Sequence, residues 1–314
     1  MWGRAEFRGA VLALGGVLAV ILIITSTSPG LPGELLLQTL RFHLVGLGLI
    51  LALFMVLFGA RWRAGLFLIF LAVAFAHGAY YVWQFEARRT PPPGELRAEL
   101  TLLNYNVLAS NRRAREAASF IAETAPDVAL IMETPGVEEH LSLIEAALPY
   151  RLGCERPATC DISLFSRHPI ENGEVREIPP FRRARLVIAP IAIDGANVTV
   201  VGVHLSKPYF DEASLVELSY LHHVLSGIAG PVVLAGDFNA AVWSGPMAWF
   251  GRSLELAPGP SYPATWPVVL GPLGVPIDNV LTRGPARVLD IAAGEDSIGS
   301  NHRYLLARIG LYAP

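Results

Sequence analysis

The sequence predicts an α/β fold in which two mixed β-sheets pack face to face and are flanked by helices. We expect this four-layer α/β sandwich to be preceded by three transmembrane α-helices. The 314-residue chain is 53% hydrophobic and only 16% charged, which is too apolar for one ordinary soluble domain. The apolar excess lies in three long charge-free runs before residue 86. After residue 100, strand-like and helix-like patterns alternate and include a hairpin, which favours two sheets covered by helices.

The charge-free runs extend from Gly9 to Gly33, from Phe42 to Ala60 and from Ala64 to Phe85. At about 1.5 Å per residue, a helix of this length can cross the roughly 30 Å hydrocarbon core of a bilayer. A cleavable signal peptide is the alternative for the first run, but that run exceeds the usual ~7–15 apolar residues. A buried helical core is the alternative for all three, but none has a polar face at helical spacing. We therefore expect transmembrane helices over about 9–30, 42–60 and 64–85.

Basic residues in the short loops predict the orientation of these helices, because Lys and Arg concentrate on the cytoplasmic side. The loop between the first two runs offers only Glu34 and Arg41 as charged residues. The N-terminus and the second loop are therefore predicted to be inside, and everything after Phe85 outside the cytoplasm. Arg88 and Arg89 oppose this orientation. We expect a multi-pass protein of a bacterial-type inner membrane with its folded domain on the extracytoplasmic side. The basic residues on the predicted inner side are Arg4, Arg8, Arg61 and Arg63.

A proline-rich spacer marks the predicted domain boundary. Residues 1–88 form the predicted membrane anchor, residues 89–99 a linker stiffened by three consecutive prolines, and residues 100–314 the folded outer domain. From Glu95 onward, 16 Arg and one Lys stand against 24 Asp plus Glu, which gives a net charge near −7. A surface this acidic argues against general, charge-driven DNA binding.

The two cysteines of the chain lie in the polar stretch "CERPATC" as Cys154 and Cys160. This spacing suits a small disulfide-closed loop in an oxidising compartment. A metal-binding pair is the alternative. It has little support, because the loop contains no histidine and the chain has no further cysteine.

The first half of the outer domain alternates strands and helices. Its predicted strands are short apolar runs, whereas its predicted helices carry apolar residues at helical spacing. The predicted strands cover 100–108, 127–134 and 162–167, and the predicted helices cover 112–124 and 137–148.

The second half of the outer domain begins with two adjacent apolar runs, 184–194 and 197–205, which predict a hairpin around Gly195 and Ala196. A helix over 212–228 is stopped by Gly230 and Pro231. A buried strand then starts at Val232. The Pro- and Gly-rich stretch from Ala257 to Pro276 is predicted to be loop, and the late strands cover 276–281 and 302–311.

The stretch "VVLAGDFNAA", residues 232 to 241, ends the buried strand with Asp237 and Asn239 two residues apart. A period of two places both side chains on the same side of an extended chain. Both can therefore face one site where the strand leaves the sheet. A tight turn capped by these side chains is the alternative for this stretch.

Seven motifs at strand ends resemble one family. They are "NYNV", "IMET", "GVHLSKP", "LAGDFNA", "ATW", "PIDNV" and "GSNHRYLL", and they occur in this order between residues 100 and 310. Together they resemble the endonuclease/exonuclease/phosphatase superfamily. His204 in "GVHLSKP" is similar to the branch that contains deoxyribonucleases, sphingomyelinases and inositol polyphosphate 5-phosphatases, because a tyrosine usually stands there in abasic-site endonucleases.

The resemblance implies the catalytic residues. Asp237 would position or deprotonate the attacking water, and Asn239 would contact the phosphate. His302 would be the catalytic histidine and Asp278 its orienting partner, because a carboxylate on one ring nitrogen raises the basicity of the other. His204 would be a second histidine facing the phosphate, although a strand-end histidine can also be simply hydrogen bonded.

The resemblance also implies a Mg²⁺ or Mn²⁺ site, because such a cation neutralises phosphate charge and prefers oxygen ligands. The predicted ligands are Glu133, Asn106 and Asn301. A turn carboxylate is the alternative for Glu133, and a side chain that caps its own turn is the alternative for Asn106. Arg185 and Trp266 are predicted to bind substrate, although "FRRARL" is also typical of a solvated strand start.

The sequence therefore predicts a membrane-anchored, divalent-metal-dependent hydrolase of phosphoester bonds that acts by metal-assisted water attack. The substrate is a lipid head group, a nucleic acid or a small phosphoester. The expected partners are the lipid bilayer and this substrate, and no obligate protein partner is evident. The family usually has aspartate where this chain has Asn301, and histidine or tyrosine where it has Asn279. A catalytically weak or inactive binding module for a phosphorylated ligand is therefore the alternative.

Overall fold

A computed structural model describes residues 3–92, 94–156, 159–209 and 211–313 of the chain. Four helices come first: α1 (Arg4–Thr27), α2 (Glu34–Thr39), α3 (Arg41–Leu57) and α4 (Arg61–Glu86). Among the described residues, α1 and α4 are long and apolar enough to cross a membrane, whereas α3 is a shorter apolar helix of 17 residues. Three transmembrane helices and the division at residues 88 and 99 therefore stay predictions.

The first β-sheet holds the first strands of the outer domain and the last two. Strand β1 starts four residues earlier than the sequence predicts, because its first residue pairs with Tyr312 of the last strand. The strands are β1 (Leu96–Asn106), β2 (Val128–Met132), β3 (Tyr150–Leu152), β4 (Ile162–Ser166), β11 (Ala286–Ala293) and β12 (Leu305–Tyr312). Their order is β11-β12-β1-β2-β4-β3, with β1 and β2 parallel and the other neighbours antiparallel.

The second sheet is built from the middle of the chain. It contains the predicted hairpin, whose turn residues are Asp194 and Gly195, both with positive φ. The strands are β5 (Glu174–Ile178), β6 (Arg183–Ile193), β7 (Ala196–His204), β8 (Val232–Asp237), β9 (Ala257–Pro258) and β10 (Asp278–Arg283). Their order is β5-β6-β7-β8-β10-β9, with β7 and β8 parallel and the other neighbours antiparallel.

Successive strand residues fill different layers of the core because side chains alternate across a sheet. Leu102 packs between the two sheets with Leu130 and Val200, whereas Leu103 packs outward against Ile121. The predicted two mixed sheets flanked by helices are confirmed. The flanking helices are α5 (Ala114–Thr124) and α6 (Leu141–Ala147) on the first sheet, and α7 (Asp211–Ser226) and α8 (Gly245–Ser253) on the second.

Several elements differ from the prediction. The stretch 257–276 is not loop throughout, since it contains β9 and a 3-10 helix at Val268–Leu273. The helix predicted over 137–148 begins as a 3-10 helix, Thr134–His140, before α6 starts. Strands β3, β5 and β11 and helices α2 and α8 are absent from the sequence prediction. They are short or mostly half exposed, so their apolar periodicity is weak.

The end of β8 depends on a glycine. Gly236 has φ +147°, and a Cβ there would lie 1.9 Å from the backbone oxygen of Val203 on the neighbouring strand. The absence of a side chain therefore lets β7 and β8 approach closely immediately before Asp237.

The N-terminal helices are attached to the outer domain at one end. Phe85, near the end of α4, is fully buried in the core cluster that α8 forms with the second sheet. A Cβ on Gly251 of α8 would lie 2.2 Å from the Phe85 ring, so the two helices are in tight contact. Arg88 adds a hydrogen bond of 2.8 Å from its Nε to the carbonyl of Leu256.

We predict that Phe85→Ala destabilises the outer domain although it lies in an N-terminal helix. Removing a fully buried phenylalanine costs about 3–5 kcal/mol, because apolar burial is lost and a cavity remains. The measurement is thermal unfolding of the detergent-solubilised chain. Trp83→Ala, on the same helix but 62% exposed, is the control. Equal melting temperatures for the two variants would contradict this packing.

Candidate active site

The predicted site residues converge at one end of the sandwich, where strands from both sheets end together. A cleft of about 260 Å³ opens there. Residues predicted to be catalytic or to bind metal line this cleft, together with residues of helix α2. The cleft therefore lies against the N-terminal helices. The lining residues are Leu36, Thr39, Leu108, Glu133, His204, Lys207, Pro208, Tyr209, Asp237, Asn239, Trp266, Val275, Ile277, Asn301 and His302.

Strand register places three ionisable residues in one row of the second sheet. His204 at the end of β7 pairs with Asp237 at the end of β8, and Asp237 pairs with Asp278 at the start of β10. All three side chains are buried. The row therefore presents two carboxylates and an imidazole to the same edge of the sheet.

His302 forms a hydrogen-bonded pair with Asp278. Its Nδ1 lies 2.8 Å from Oδ2 of the aspartate, and its Nε2 lies 3.8 Å from Oδ2 of Asp237. Burial opposes the charged imidazolium, but Asp278 and then Asp237 outweigh it and raise the pKa of His302 to about 9. His302 is therefore cationic at neutral pH and directs its Nε2 towards Asp237.

His204 forms a second, similar pair on the other side of Asp237. Its Nδ1 lies 2.5 Å from Oδ1 of Asp161, and its Nε2 lies 3.9 Å from Oδ2 of Asp237. Burial lowers the pKa of His204, but the Asp161 carboxylate outweighs it, so the pKa is raised. Asp161 itself is held at 2.9 Å by Nε of Arg185.

Arg185 and Asp161 form a pair that the sequence did not predict. Arg185 does not line the cleft and stands behind His204, paired with Asp161. Its predicted contact with substrate stays a prediction. Asp161 is missing from the prediction, although a carboxylate directly before the buried strand β4 was a signal of the same kind as Asp237.

Asp237 lies between the two histidines and is 1% exposed. Burial and then the neighbouring Asp278 raise its pKa, while His302 and His204 oppose that shift. Asn239 contributes its backbone N–H to Oδ1 of Asp237 at 2.8 Å. Its amide nitrogen donates to the carbonyl of Leu205 at 2.8 Å, and its backbone φ is +50°. The tight turn considered as the alternative for this stretch is therefore present, and it also fixes the position of the Asp237 carboxylate.

The ends of β1 and β2 bring a second group of oxygen-bearing side chains to the cleft. Asn106 donates from Nδ2 to Asp237 at 3.1 Å and to Oε1 of Glu133 at 3.4 Å. The other Glu133 oxygen accepts from the backbone N–H of Ala109 at 2.7 Å. The amide oxygen of Asn106, predicted to reach a metal, accepts instead from the N–H of Leu108 at 3.1 Å.

Among the described residues of the cleft, two groups are candidates for holding a cation. Asp237, Asp278 and His302 offer ligand atoms that all lie within 4.8 Å of one another. Nδ1 of His302 and Oδ2 of Asp278 already bond each other, whereas Oδ1 of Asp278 is buried without a hydrogen-bond partner among the described residues. Mg²⁺ and Mn²⁺ prefer oxygen ligands. The carboxylates of Glu133 and Asp237 beside the Asn106 amide therefore fit a hard divalent cation better.

The mouth of the cleft carries Trp266, a predicted substrate contact, Asn301, a predicted metal ligand, and also Lys207. Lys207 is the one lysine of the chain and is exposed. It was not among the predicted site residues, although "HLSKP" contains it. Behind the same segment, the buried carboxylate of Glu217 accepts from the backbone N–H and the hydroxyl of Ser206 at 2.7 and 2.6 Å, which fixes the chain that follows His204.

Cys154 and Cys160 are joined by a disulfide in the structure. Both are buried in the cluster between α5, α6 and the first sheet. This disulfide does not line the cleft. The pair therefore closes a loop on the first sheet and takes no part in the site.

The fold and the site define a phosphoesterase-like α/β sandwich with its polar centre at the shared end of two sheets. The chain belongs to the Endonuclease/Exonuclease/phosphatase family, whose model matches residues 103–302. Members of this family are in general metal-dependent hydrolases of phosphoester bonds. A comparison with curated proteins gave no significant match.

Solved structures of the same fold include D. rerio TDP2 complexed with a single-strand DNA product. It is 18% identical, with 67% of this chain and 98% of that chain covered and a TM-score of 0.56. Sphingomyelinase C from Streptomyces griseocarneus is 17% identical, with 68% of this chain and 99% of that chain covered and a TM-score of 0.51. A beta toxin mutant from Staphylococcus aureus with bound magnesium ions is 15% identical, with 69% of this chain and 100% of that chain covered and a TM-score of 0.50. At these identities the likeness shows the fold.

We predict that Asp161→Asn lowers the pKa of His204, because the carboxylate that opposes its desolvation is lost. The measurement is an NMR titration of the histidines in EDTA. Asp127→Asn, which removes a carboxylate beside His168, is the matched control.

We also predict that the difference in stability between the wild type and Asp161→Asn depends on pH. The raised pKa of His204 gives stability that is fully present below 6.5 and lost as pH rises through its folded pKa. The lowered pKa of Asp161 gives stability that is present above 3.8 and lost at lower pH. We therefore expect Asp161→Asn to lower the free energy of unfolding most between about pH 3.8 and 6.5. A stability difference that grows as the pH rises through the folded pKa of His204, where the imidazolium is lost, would contradict the pairing.

Proposed function

We propose that this chain is a membrane-anchored, divalent-metal-dependent phosphoesterase that hydrolyses a phosphodiester or phosphomonoester. The observation that carries the proposal is the placement of buried Asp237 between two carboxylate-paired histidines, next to the oxygen group of Glu133 and Asn106. A buried carboxylate, two imidazoles and oxygen ligands in one cleft supply what attack of water on a phosphoester requires.

Each side chain has a role that follows from its partners. Asp237 is the acceptor for a proton of the attacking water, since its carboxylate is buried and fixed by the Asn239 N–H. His204 and His302 present their Nε2 atoms to the same space and bind the phosphate oxygens there. Their Nδ1 atoms are occupied by aspartates, which fixes the ring orientation.

A divalent cation fits beside these residues. Glu133 and Asp237 would hold it, with Asn106 after a change of its hydrogen bonds and with Asn301 from the mouth of the cleft. When bound, it neutralises phosphate charge and lowers the pKa of a bound water.

Membrane anchoring is supported by the surface of the N-terminal helices. Their outward faces carry exposed apolar residues, such as Leu53 of α3 and Ile69 of α4. Arg4 donates to the carbonyl of Leu57 at the end of the helices that lies away from the outer domain, where Arg61 also stands. Phe85 and α2 lie at the other end. We propose that the basic end faces the cytoplasm and that the outer domain is extracytoplasmic.

The binding module stays the second candidate, because Asn301 stands where the family pattern has aspartate. An amide can ligate Mg²⁺ but brings no charge, which lowers the affinity for the cation. A module with the same phosphate-facing histidines and a weak metal site would bind a phosphorylated ligand without turning it over.

We predict that Asp237→Asn and His302→Ala each reduce turnover by about 100-fold or more, because each removes a group that handles a proton or phosphate charge. The assay is hydrolysis of bis(p-nitrophenyl) phosphate, plasmid DNA and a phospholipid panel by the detergent-purified chain with Mg²⁺, Mn²⁺ or EDTA. His223→Ala, on the exposed face of α7, is the control. Turnover that survives both active-site changes, or that EDTA leaves intact, would show that the chemistry is elsewhere.

We predict that Asn301→Asp tightens Mg²⁺ binding by about tenfold or more, because it adds a negative charge at the cleft mouth. Calorimetric titration measures this affinity. Asn197→Asp is the matched control, since Asn197 lies at the opposite end of β7 from His204. Equal affinities for the two variants would place the cation away from Asn301.

A further inference from the structure

An apolar surface segment lies between two residues of the cleft wall. The 3-10 helix Val268–Leu273 exposes three large apolar side chains, with Val269 88% exposed, Leu273 72% and Leu270 48%. The sequence of this segment, "VVLGPL", contains no charged residue. Single exposed apolar residues are common, but three on one short helix form a patch of the kind that contacts a membrane or a partner.

The base of this apolar segment is part of the site. Trp266 and Val275 line the cleft, and they join the two ends of the segment through backbone hydrogen bonds of 2.6 and 3.1 Å. The exposed side chains of Val269 and Leu270 do not line the cleft themselves. The segment is thus a projection from the rim of the cleft.

The apolar segment also touches the outer end of the N-terminal helices. Nε2 of His43 lies 2.7 Å from the carbonyl oxygen of Leu273. His43 is the third residue of α3, and the next turns of α3 expose Leu47 and Ile50. The segment therefore lies at the level where the apolar surface of α3 begins.

Helix α2 forms the facing wall of the cleft. Leu36 and Thr39 line the cleft from this helix. Thr39 and Gln38 are bonded to the chain that directly follows the catalytic turn, with the N–H groups of Ala241 and Gly245 donating to their side chains at 3.2 and 2.7 Å. The N-terminal helices thus contribute one wall of the site, and the cleft opens between α2 and the apolar segment.

We propose that the apolar segment Val268–Leu273 inserts into the membrane surface and that the cleft takes its phosphoester from a phospholipid of that membrane. The proposal rests on the phosphoesterase function proposed above and specifies its substrate class. The phosphate enters between α2 and the segment, where Lys207 at the mouth meets its charge, while the apolar part of the lipid stays beside Val269 and Leu273. A polynucleotide fits less well, because the outer domain is acidic and the rim is apolar.

The reaction balances with water as the second substrate. The water oxygen bonds to phosphorus as its proton passes to Asp237, and the bond from phosphorus to one ester oxygen breaks. That oxygen leaves as an alcohol after it receives a proton from a histidine. The products are a phosphate monoester and an alcohol, one of which keeps the acyl chains.

Insertion is tested with one labelled cysteine. Both native cysteines are in a disulfide, so Val269→Cys provides a single thiol for an environment-sensitive fluorophore. The full chain is reconstituted in vesicles of phosphatidylcholine and phosphatidylglycerol that carry nitroxide-labelled lipids. Tyr150→Cys is the control, because exposed Tyr150 pairs with Ser166 at the end of the first sheet opposite the site. We expect quenching at position 269 and little at 150, and equal or absent quenching at both would overturn the proposal.

Substrate class is tested with the double variant Val269→Ser, Leu273→Ser, which changes surface residues only. Three turnover rates are compared: phospholipid in vesicles, bis(p-nitrophenyl) phosphate and a single-stranded DNA oligonucleotide. We expect the ratio of phospholipid to soluble diester turnover to fall at least tenfold. An unchanged ratio would overturn the proposal, as would an oligonucleotide turned over faster than any phospholipid. If the wild type turns over none of the three substrates, the phosphoesterase function itself is refuted. The labelling experiment does not depend on turnover, so it tests membrane insertion separately.

Discussion

The burial of Asp237 is the constraint on which the rest of the site depends. A carboxylate withdrawn from water is costly unless charges or hydrogen bonds compensate it. Here the compensation comes from His204 and His302, whose Nε2 atoms lie 3.9 and 3.8 Å from the same carboxylate oxygen. Each histidine is held from behind by its own aspartate, Asp161 or Asp278, so negative and positive groups alternate across the cleft. Removal of any one of them leaves a buried charge without its partner.

The same constraint explains why the site needs both sheets. The row of His204, Asp237 and Asp278 belongs to the second sheet, whereas Asn106 and Glu133 reach it from the first. The face-to-face packing of the sheets therefore does more than form a core, because it sets the distance between the residues proposed to handle protons and those proposed to hold the cation. The N-terminal helices extend this arrangement. Through Thr39 and Gln38 they are bonded to the chain after Asn239, which couples the N-terminal helices to the cleft.

The sequence predicted what is local and missed what depends on the packing of distant segments. The strand end "GDFN" predicts Asp237 and Asn239 in one site, although Asn239 reaches the cleft from a turn with φ +50° and not by strand period. The family motifs bring in His302 with Asp278. Asp161 could have been noticed before the buried strand β4, but its pairing with His204 joins the two sheets and is not visible in the spacing along the chain. The pairing of Arg185 with Asp161 was missed for the same reason, since Arg185 lies in the second sheet and Asp161 directly before β4 of the first. Helix α2 and the Val268–Leu273 segment are too short for periodicity to reveal, and their place beside the cleft follows from tertiary contacts.

The central claim is that phosphate is bound between the two histidines and the cation on the Glu133 side. A crystal structure of the chain with Mn²⁺ and inorganic phosphate, with Mn²⁺ located by its anomalous scattering, tests this claim most directly. The account predicts Mn²⁺ bonded to Glu133 and phosphate within hydrogen-bond distance of Nε2 of both His204 and His302. Mn²⁺ bound between Asp278 and His302, with phosphate away from His204, would contradict it.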